Sequence, residues 1–295
     1  MRPTRRPAAL APLVALAASL GATPQHAGEA QHGVNQPGDT QPGNDNTSDQ
    51  SANASSRAKA LFVIDRHIRA VGGEDAIRAA TSITFSGTFQ IQGASFIGRV
   101  HSRRAAPGRA ITRIELGPLG VVLQGYDGTH AWTLHPTNGP ALLEGPSATA
   151  LARNANPQTD LHYEDNYPTI EYLGDDIFEG EPAFAVRLVD HDGTETIELF
   201  SKGDGERIGV RGHRPSPEGP IPYTRALLDY REFERLRMPT RTIERFAGQV
   251  ITVTITDVSY EPIDPDAFTP PPEVLALIQA PEDAPEPETP KPAAP

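Results

Sequence analysis

The sequence reads Ile-Thr-Phe-Ser-Gly-Thr-Phe-Gln-Ile-Gln from Ile83 to Gln92, and this stretch is the clearest indication of the fold class. Its odd-numbered positions are apolar or glycine, and its even-numbered positions are polar. A period of two is typical of a β-strand that buries one face and exposes the other. Residues 83–260 repeat this pattern in short segments separated by Gly and Pro turns. The chain is therefore predicted to form a large antiparallel sheet.

The predicted fold class is α+β, mostly β. Twist accumulates across a sheet of about 10 or 11 strands, so we expect a strongly curved sheet or half-open β-barrel. An amphipathic helix precedes the sheet, with its start predicted at Ser55 or Ser56 and its end near Val71. Residues 147–155 and 160–166 are predicted to form a helical or irregular insert. These few helices should cover the curved sheet.

The ends of the chain differ in composition from the predicted sheet. Three arginines among the first six residues precede an uncharged, apolar run over residues 8–22. This layout is typical of a secretory signal peptide, and the run is shorter than the roughly 20 residues of a spanning helix. A retained membrane anchor is the alternative. The predicted segments are 1–27 for the signal peptide, 28–56 for a disordered leader, 57–279 for one folded domain and 280–295 for a disordered Pro/Glu-rich tail.

Composition narrows the location and the partners of the protein. The sequence has no cysteine, which excludes a disulfide-stapled domain and a lipid-modified lipoprotein. We expect a periplasmic or secreted protein with no integral membrane segment after signal removal. The chain carries 26 basic and 38 acidic residues, a balance that argues against binding to nucleic acid or to anionic membranes. The local basic cluster is interpreted as the solvated face of two strands; it comprises Arg99, Arg103, Arg104, Arg109 and Arg113.

The apolar positions of the predicted strands are the candidate ligand-binding residues. If they share the concave face of the curved sheet, the helices either fill the hollow or leave room for an apolar ligand. For Trp132, packing beneath the covering helices is the favoured interpretation, and lining of the hollow is the alternative. The candidates are Phe85, Phe89, Ile91, Phe96, Val100, Leu123, Trp132, Leu134 and Val253.

Motifs for catalysis, metal binding and cofactor binding are missing from the sequence. His130 and His135 lie five apart on a predicted strand and point to opposite faces, so they do not form a ligand pair. The segment from Asp190 resembles half of a calcium loop, but Ser201 occupies the position of the required acid. A hairpin turn is the better interpretation. No nucleophile elbow, phosphate loop or dinucleotide fingerprint occurs, so no catalytic residue, metal or cofactor is predicted.

Several turn and core motifs resemble the periplasmic lipoprotein-carrier superfamily, the LolA/LolB-like proteins that include outer-membrane lipoprotein-sorting proteins and sigma-factor regulatory sensors. The motifs are Ala70-Val71-Gly72-Gly73, Ala76-Ile77, the strand opening at Ile83, the stretch from Tyr126 to Trp132, Asp229-Tyr230, Leu236 to Thr240 and Ile263 to Pro270. The resemblance covers most of residues 57–279. It implies a half-open antiparallel sheet with helices over the opening and, as in the carriers, acyl chains held in an apolar hollow.

Three functions remain in competition at the level of sequence. The leading hypothesis is a non-enzymatic periplasmic binding module that holds an acyl chain, a lipid or a lipoprotein anchor. The alternative is an interaction or sensing module that docks another envelope protein through the same fold. An envelope hydrolase is the third, although no nucleophile can be paired with a base.

Overall fold

A computed structural model describes residues 46–214 and 219–279. The predicted signal peptide, most of the predicted leader and the predicted tail lie outside these residues. The strands are β1 (Ser82–Ile91), β2 (Gly98–Ala105), β3 (Arg109–Glu115), β4 (Val121–Tyr126), β5 (Ala131–His135), β6 (Gly139–Leu143), β7 (Thr169–Phe178), β8 (Glu181–Val189), β9 (Glu195–Ser201), β10 (Arg207–Arg214), β11 (Ile221–Phe233), β12 (Leu236–Phe246) and β13 (Gln249–Ser259). The α-helices of the described ranges are α1 (Asn46–Ala70), α2 (Glu74–Ala79), α3 (Gly145–Ala155), α4 (Tyr163–Asn166) and α5 (Pro272–Ile278).

The strands form one antiparallel sheet in the order β6-β5-β4-β3-β2-β1-β13-β12-β11-β10-β9-β8-β7. Two meanders, β1 to β6 and β7 to β13, meet where β1 pairs with β13. The edge strands β6 and β7 do not pair, so the sheet is curved but unclosed. The predicted fold class is confirmed. The predicted strand count is too low, because short strands such as β6, which begins Gly139-Pro140, carry too little alternation to be recognised.

Two helices cover the face of the sheet that carries Phe85, called here the inner face. α1 packs Val63 and Ile64 into a buried cluster with β7, β8 and β9. α3 packs Leu151 against Ala131 and so covers the opposite end of the inner face. The two helices therefore bury the two ends of the inner face and leave its middle between them.

The connection from β6 to β7 runs from one edge of the sheet to the other. It holds α3, a 3₁₀ turn over Thr159–Leu161 and α4, which confirms the predicted helical insert. Because β6 and β7 are the two edges of the sheet, this connection must span the width of the inner face. Its residues therefore help to enclose the space above the sheet.

The first helix begins earlier than the sequence predicts. α1 starts at Asn46, ahead of Ser55 and Ser56, and ends at Ala70, which agrees with the predicted end near Val71. The Ser56 hydroxyl does not cap a helix. It bonds instead to both the backbone N–H and the carbonyl of Tyr172, at 3.0 and 3.2 Å, and so ties α1 to the edge strand β7.

The outer face of β3 to β6 is also covered. After β13, a 3₁₀ turn over Pro265–Phe268 contacts β3, and α5 contacts β5 and β6. Phe268 and Val274 of this segment are buried. Trp132, which is fully buried, pairs with Gly125 on the face opposite the one that carries Ala131 and α3. The C-terminal segment thus gives these strands a second apolar layer.

Glycines lie opposite large aromatic rings at three places in the sheet. A Cβ on Gly98 would overlap the Phe89 ring and would approach the Glu115 carbonyl oxygen within 2.5 Å. Gly209 has the same relation to the Phe178 ring, and Gly125 to the Trp132 ring. Each glycine leaves room for a ring that lies flat on the sheet, so these positions accept no larger residue without displacement of the ring.

Gly98→Ala is expected to lower the free energy of unfolding by about 2 kcal/mol, because the added methyl group overpacks the Phe89 ring. Gly203→Ala is the matched control, since a Cβ there meets only the Ser201 hydroxyl at 3.5 Å. Urea unfolding of both variants measures the difference. Equal stability of the two variants would show that the ring can move aside without cost.

Candidate ligand-binding hollow

A cavity of about 310 Å³, called here the main cavity, lies between the inner face and the helices. Its floor comes from β1, β2 and β10 to β13, and its cover from α1, α2 and the β6–β7 connection. The apolar lining residues are Val71, Ile77, Ile83, Phe85, Pro157, Leu227, Leu236, Met238, Pro239, Val253 and Ile255. The polar and charged ones are His67, Arg104, Asn154, Asn156, Thr159, Asp160, Arg207, Arg225, Tyr230, Arg237, Thr242 and Tyr260. Apolar and charged side chains therefore both line the hollow, on its floor and on its cover.

A second cavity of about 220 Å³ adjoins the main cavity. Asn154, Arg207, Arg225 and Leu227 line both. The second cavity extends along α3 towards Tyr223. Together the two cavities occupy the middle of the inner face, between the parts that α1 and α3 bury.

A buried charge cluster stands at the junction of these cavities. Arg207 donates to the Glu198 carboxylate and to the Tyr163 hydroxyl, both at 2.9 Å. Tyr163 in turn donates to Glu198 at 2.5 Å, and Asp160 lies 3.5 Å from the Arg207 guanidinium. The cluster joins β9, β10 and the β6–β7 connection, so it holds the cover to the sheet.

The environment of this cluster shifts the pKa of its members. Burial by itself would raise the pKa of Asp160, but the Arg207 guanidinium and then His67 outweigh it and hold the pKa well below the ordinary value. Burial would lower the pKa of Arg207, yet Glu198, Tyr163 and Asp160 raise it well above its ordinary value. Both groups are therefore charged at neutral pH, as a compensated pair should be.

A second buried cluster lies on β10 to β12. Glu244 is bonded to the Arg214 guanidinium and to Arg225, whose Nη2 donates at 2.8 Å. The ring of Phe246 lies 4.8 Å from the Arg214 guanidinium carbon, and Tyr223 lies 5.0 Å from it. One carboxylate thus serves two cations, and the aromatic rings complete their packing.

The structure separates the predicted ligand-binding residues into three groups. Phe85 and Val253 line the main cavity. Phe89 and Val100 belong to the buried core cluster beneath it, and Ile91 and Phe96 pack against that cluster. These six share the inner-face core, although only two of them reach the cavity.

The other three predicted residues point away from the hollow, which corrects the assumption of a shared face. Leu123 pairs with Leu134, and this row continues through Arg113 and His101 to Ser86, an outer-face residue of β1. Trp132 lies on the same outer face under the C-terminal segment. Trp132 is fully buried, as the packing interpretation predicts. The segment next to it on this face is the 3₁₀ turn over Pro265–Phe268 with α5, whereas the sequence analysis expected the helices that cover the hollow.

The sequence analysis did not identify the charged residues that line the hollow. Arg104 was assigned to a solvated cluster, yet it lines the main cavity, whereas its neighbour Arg103 pairs in register with Thr84 on the outer face. The available signal was strand parity, because Arg104 pairs with Ile83, an apolar position of β1. Arg207 and Asp160 carried no such signal, since their partners come from elements far apart in sequence.

Metal binding and membrane spanning find no support in the described part of the chain. No group of three or more His, Asp or Glu side chains there is arranged to hold a metal ion. Within the same residues, no helix combines the length and the apolar character needed to cross a membrane.

Known structures share this architecture. The crystal structure of a LolA superfamily protein from Nitrosomonas europaea matches with a TM-score of 0.51 at 14% identity, over 73% of this chain and 98% of its own. This chain has a LolA-like fold. A DUF1329 family protein from Desulfovibrio piger also matches, with a TM-score of 0.50 at 10% identity, over 71% of this chain and 97% of its own. No protein-family model and no curated protein matches the sequence. The resemblance inferred from the turn and core motifs is thus confirmed at the level of the LolA-like fold.

Asp160→Asn is expected to lower the free energy of unfolding by about 1 to 2 kcal/mol at pH 7, because the cluster loses a charged hydrogen-bond acceptor. The folded-state pKa of Asp160 is lowered, so its stabilisation is present above the unfolded value of about 4 and is lost as pH falls through the folded pKa. The difference between the wild type and the variant should therefore shrink below about pH 4. Urea unfolding at pH 7, 4 and 2.5 measures it. The control is Asp192→Asn, in an exposed turn, and a pH-independent difference for Asp160→Asn would contradict the assignment.

Proposed function

We propose that the protein is a non-enzymatic binding module that holds the acyl chain of a lipid or lipoprotein in the main cavity. The observation that carries this proposal is the space of about 310 Å³ left between the inner face and its helices. The part of its floor that β1 and β13 form is apolar and is called here the apolar floor; it comprises Ile83, Phe85, Val253 and Ile255. That volume falls at the lower end of the roughly 300–1,000 Å³ of ligand pockets. A lipid or lipoprotein carrier of the periplasm, or of the secreted fraction, is the role that fits best.

Burial of an acyl chain against the apolar floor is enough for useful affinity, and no chemical step is needed. Phe85 on β1 lines the cavity together with Val253 and Ile255 on β13, and Ile255 pairs with Gly87, two residues further along β1 than Phe85. Each buried methylene of an acyl chain contributes about 0.8 kcal/mol, so a few methylenes on this floor suffice for binding. The predicted signal peptide of residues 1–27 supports an exported location. A carrier is needed there because an acyl chain that crosses an aqueous compartment must be shielded from water.

Ile255→Trp is expected to weaken the binding of a fluorescent fatty acid by at least about tenfold, because the indole occupies space that the acyl chain needs. Thr256→Trp is the matched control, since Thr256 is the exposed neighbour of Ile255 on the same strand. Delipidated protein is titrated with the probe, and native mass spectrometry detects lipid that co-purifies. Equal affinity of the two variants, or no binding by the wild type, would overturn the proposal.

The alternative is an envelope protein interaction or sensing module, and an exposed apolar patch favours it. Phe62 on α1 is 61% exposed and lies with Tyr172 and Phe184 around a shallow surface depression. The patch adjoins β7, whose outer edge has no strand partner among residues 46–214 and 219–279. Free strand edges and exposed aromatic side chains both recruit other chains.

Phe62→Ser separates the two functions. If the alternative holds, a stoichiometric envelope partner is captured by the wild type and by Ile255→Trp without added lipid, and is lost with Phe62→Ser. If lipid carriage is the function, we expect Phe62→Ser to bind the fluorescent fatty acid as the wild type does. A quantitative pull-down measures partner capture and the titration measures fatty-acid binding, both on the wild type, Ile255→Trp and Phe62→Ser.

A further inference from the structure

Arg104 is a cation without a carboxylate partner in the main cavity. Its guanidinium carbon lies 5.4 Å from the centre of the Phe85 ring. Across residues 46–214 and 219–279, no ion pair and no side-chain hydrogen bond is formed by Arg104. The other lining arginines differ, because Arg207 pairs with Glu198, Arg225 with Glu244 and Arg237 with Glu206.

Tyr260 presents a second unused donor to the same cavity. Its hydroxyl oxygen is buried and has no hydrogen-bond partner within the described ranges. Burial, and then the nearby Glu234, raise the pKa of Tyr260 to about 12, so the hydroxyl keeps its proton. A buried hydroxyl that makes no hydrogen bond loses the stabilisation that water gave it.

The sheet register brings these two donors to one place. Arg104 pairs with Ile83, and Ser259 pairs with Thr84, so Tyr260 follows directly in the row beside Ile83. Arg104 and Tyr260 therefore flank β1 on the inner face, and both line the main cavity. Arg207, on β10, lines the same cavity, and its Nε is another buried donor without a partner in the described chain.

The local electrostatics favour an anion at this position. Burial, and then the positive charge of Arg225, lower the pKa of Arg104 to about 10. The guanidinium remains protonated at neutral pH but loses solvation without gaining a counter-charge. An anionic oxygen beside it would restore both, and charge-assisted hydrogen bonds from arginine are the strong ones.

We infer that Arg104 and Tyr260 bind the anionic head group, a carboxylate or a phosphate, of an amphiphile whose acyl chain lies on the apolar floor of the main cavity. This inference rests on the proposed acyl-chain function and adds the class of ligand. The protein then prefers a fatty-acid anion or a phosphate-bearing lipid over a neutral lipid with the same chain. Ile83 and Phe85 lie beside the head-group position, and Val253 and Ile255 extend the apolar floor along β13.

The test compares head groups on a constant chain. Delipidated full-length protein is titrated by calorimetry with decanoate, decanol and acetate. We expect decanoate to bind at least about tenfold more tightly than decanol, as one charge-assisted hydrogen bond provides, and acetate not to bind. Equal affinity for decanoate and decanol would overturn the inference and leave the proposed function standing. Absence of binding by both would overturn the proposed function together with it.

Variants locate the head-group site. Arg104→Met should reduce decanoate affinity to that of decanol and leave decanol affinity unchanged, and Arg104→Lys should retain part of the preference. Arg103→Met, on the outer face of the same strand, is the control that should bind as the wild type does. Tyr260→Phe should weaken decanoate alone, and it decides the question if Arg104→Met fails to fold. A parallel loss of decanoate and decanol in these variants would assign Arg104 and Tyr260 to packing, and acetate binding as tight as decanoate would assign the site to a free anion.

Discussion

The pairing of β1 with β13 is the constraint on which the rest of the structure depends. Each meander is built from local hairpins, and the sheet is continuous only because Thr84 pairs with Ser259 and Ile91 with Ile251. This contact joins positions far apart in the chain, so its loop-closure cost must be met by the apolar cluster around it. The same pairing places Phe85 of β1 and Ile255 and Val253 of β13 on one face, where all three line the cavity. Without it, neither the hollow nor the Arg104–Tyr260 pair would exist.

The inner face divides into buried ends and a charged middle for a physical reason. α1 and α3 each bury an apolar cluster at one end of the sheet, where polar groups would be costly. Between them the cover comes from the β6–β7 connection, which supplies Asp160 and Tyr163 to the cluster around Arg207. Buried charges persist only when they are paired, and most of these are. The resulting hollow offers an acyl chain an apolar wall and offers a head group one unpaired cation.

Strand parity explains which predictions on the site succeeded. The alternation from Ile83 to Gln92 correctly separates the two faces of β1, so Phe85 reaches the cavity. The same reasoning fails for Leu123, Leu134 and Trp132, because the C-terminal segment covers the outer face of β3 to β6 and makes both faces apolar. In these strands a hydrophobic residue can be buried on either face, so hydrophobicity does not show which face lines the hollow. Arg104 shows the opposite error. A charged residue within a basic cluster is expected to be exposed to solvent, and only its pairing with Ile83 shows that it lies on the inner face.

The fold class, the antiparallel order of neighbouring strands and the helical insert all follow from local sequence patterns, because period, turn residues and connection length act locally. The turn and core motifs also carried the resemblance to the LolA-like fold. Tertiary structure alone decided the β1–β13 register, the start of α1 and the division of residues between cavity, core and outer face. It also decided that Arg104 and Tyr260 line one cavity from the two sides of β1. These features arise from contacts between distant segments, whose energies depend on packing geometry that no local pattern encodes.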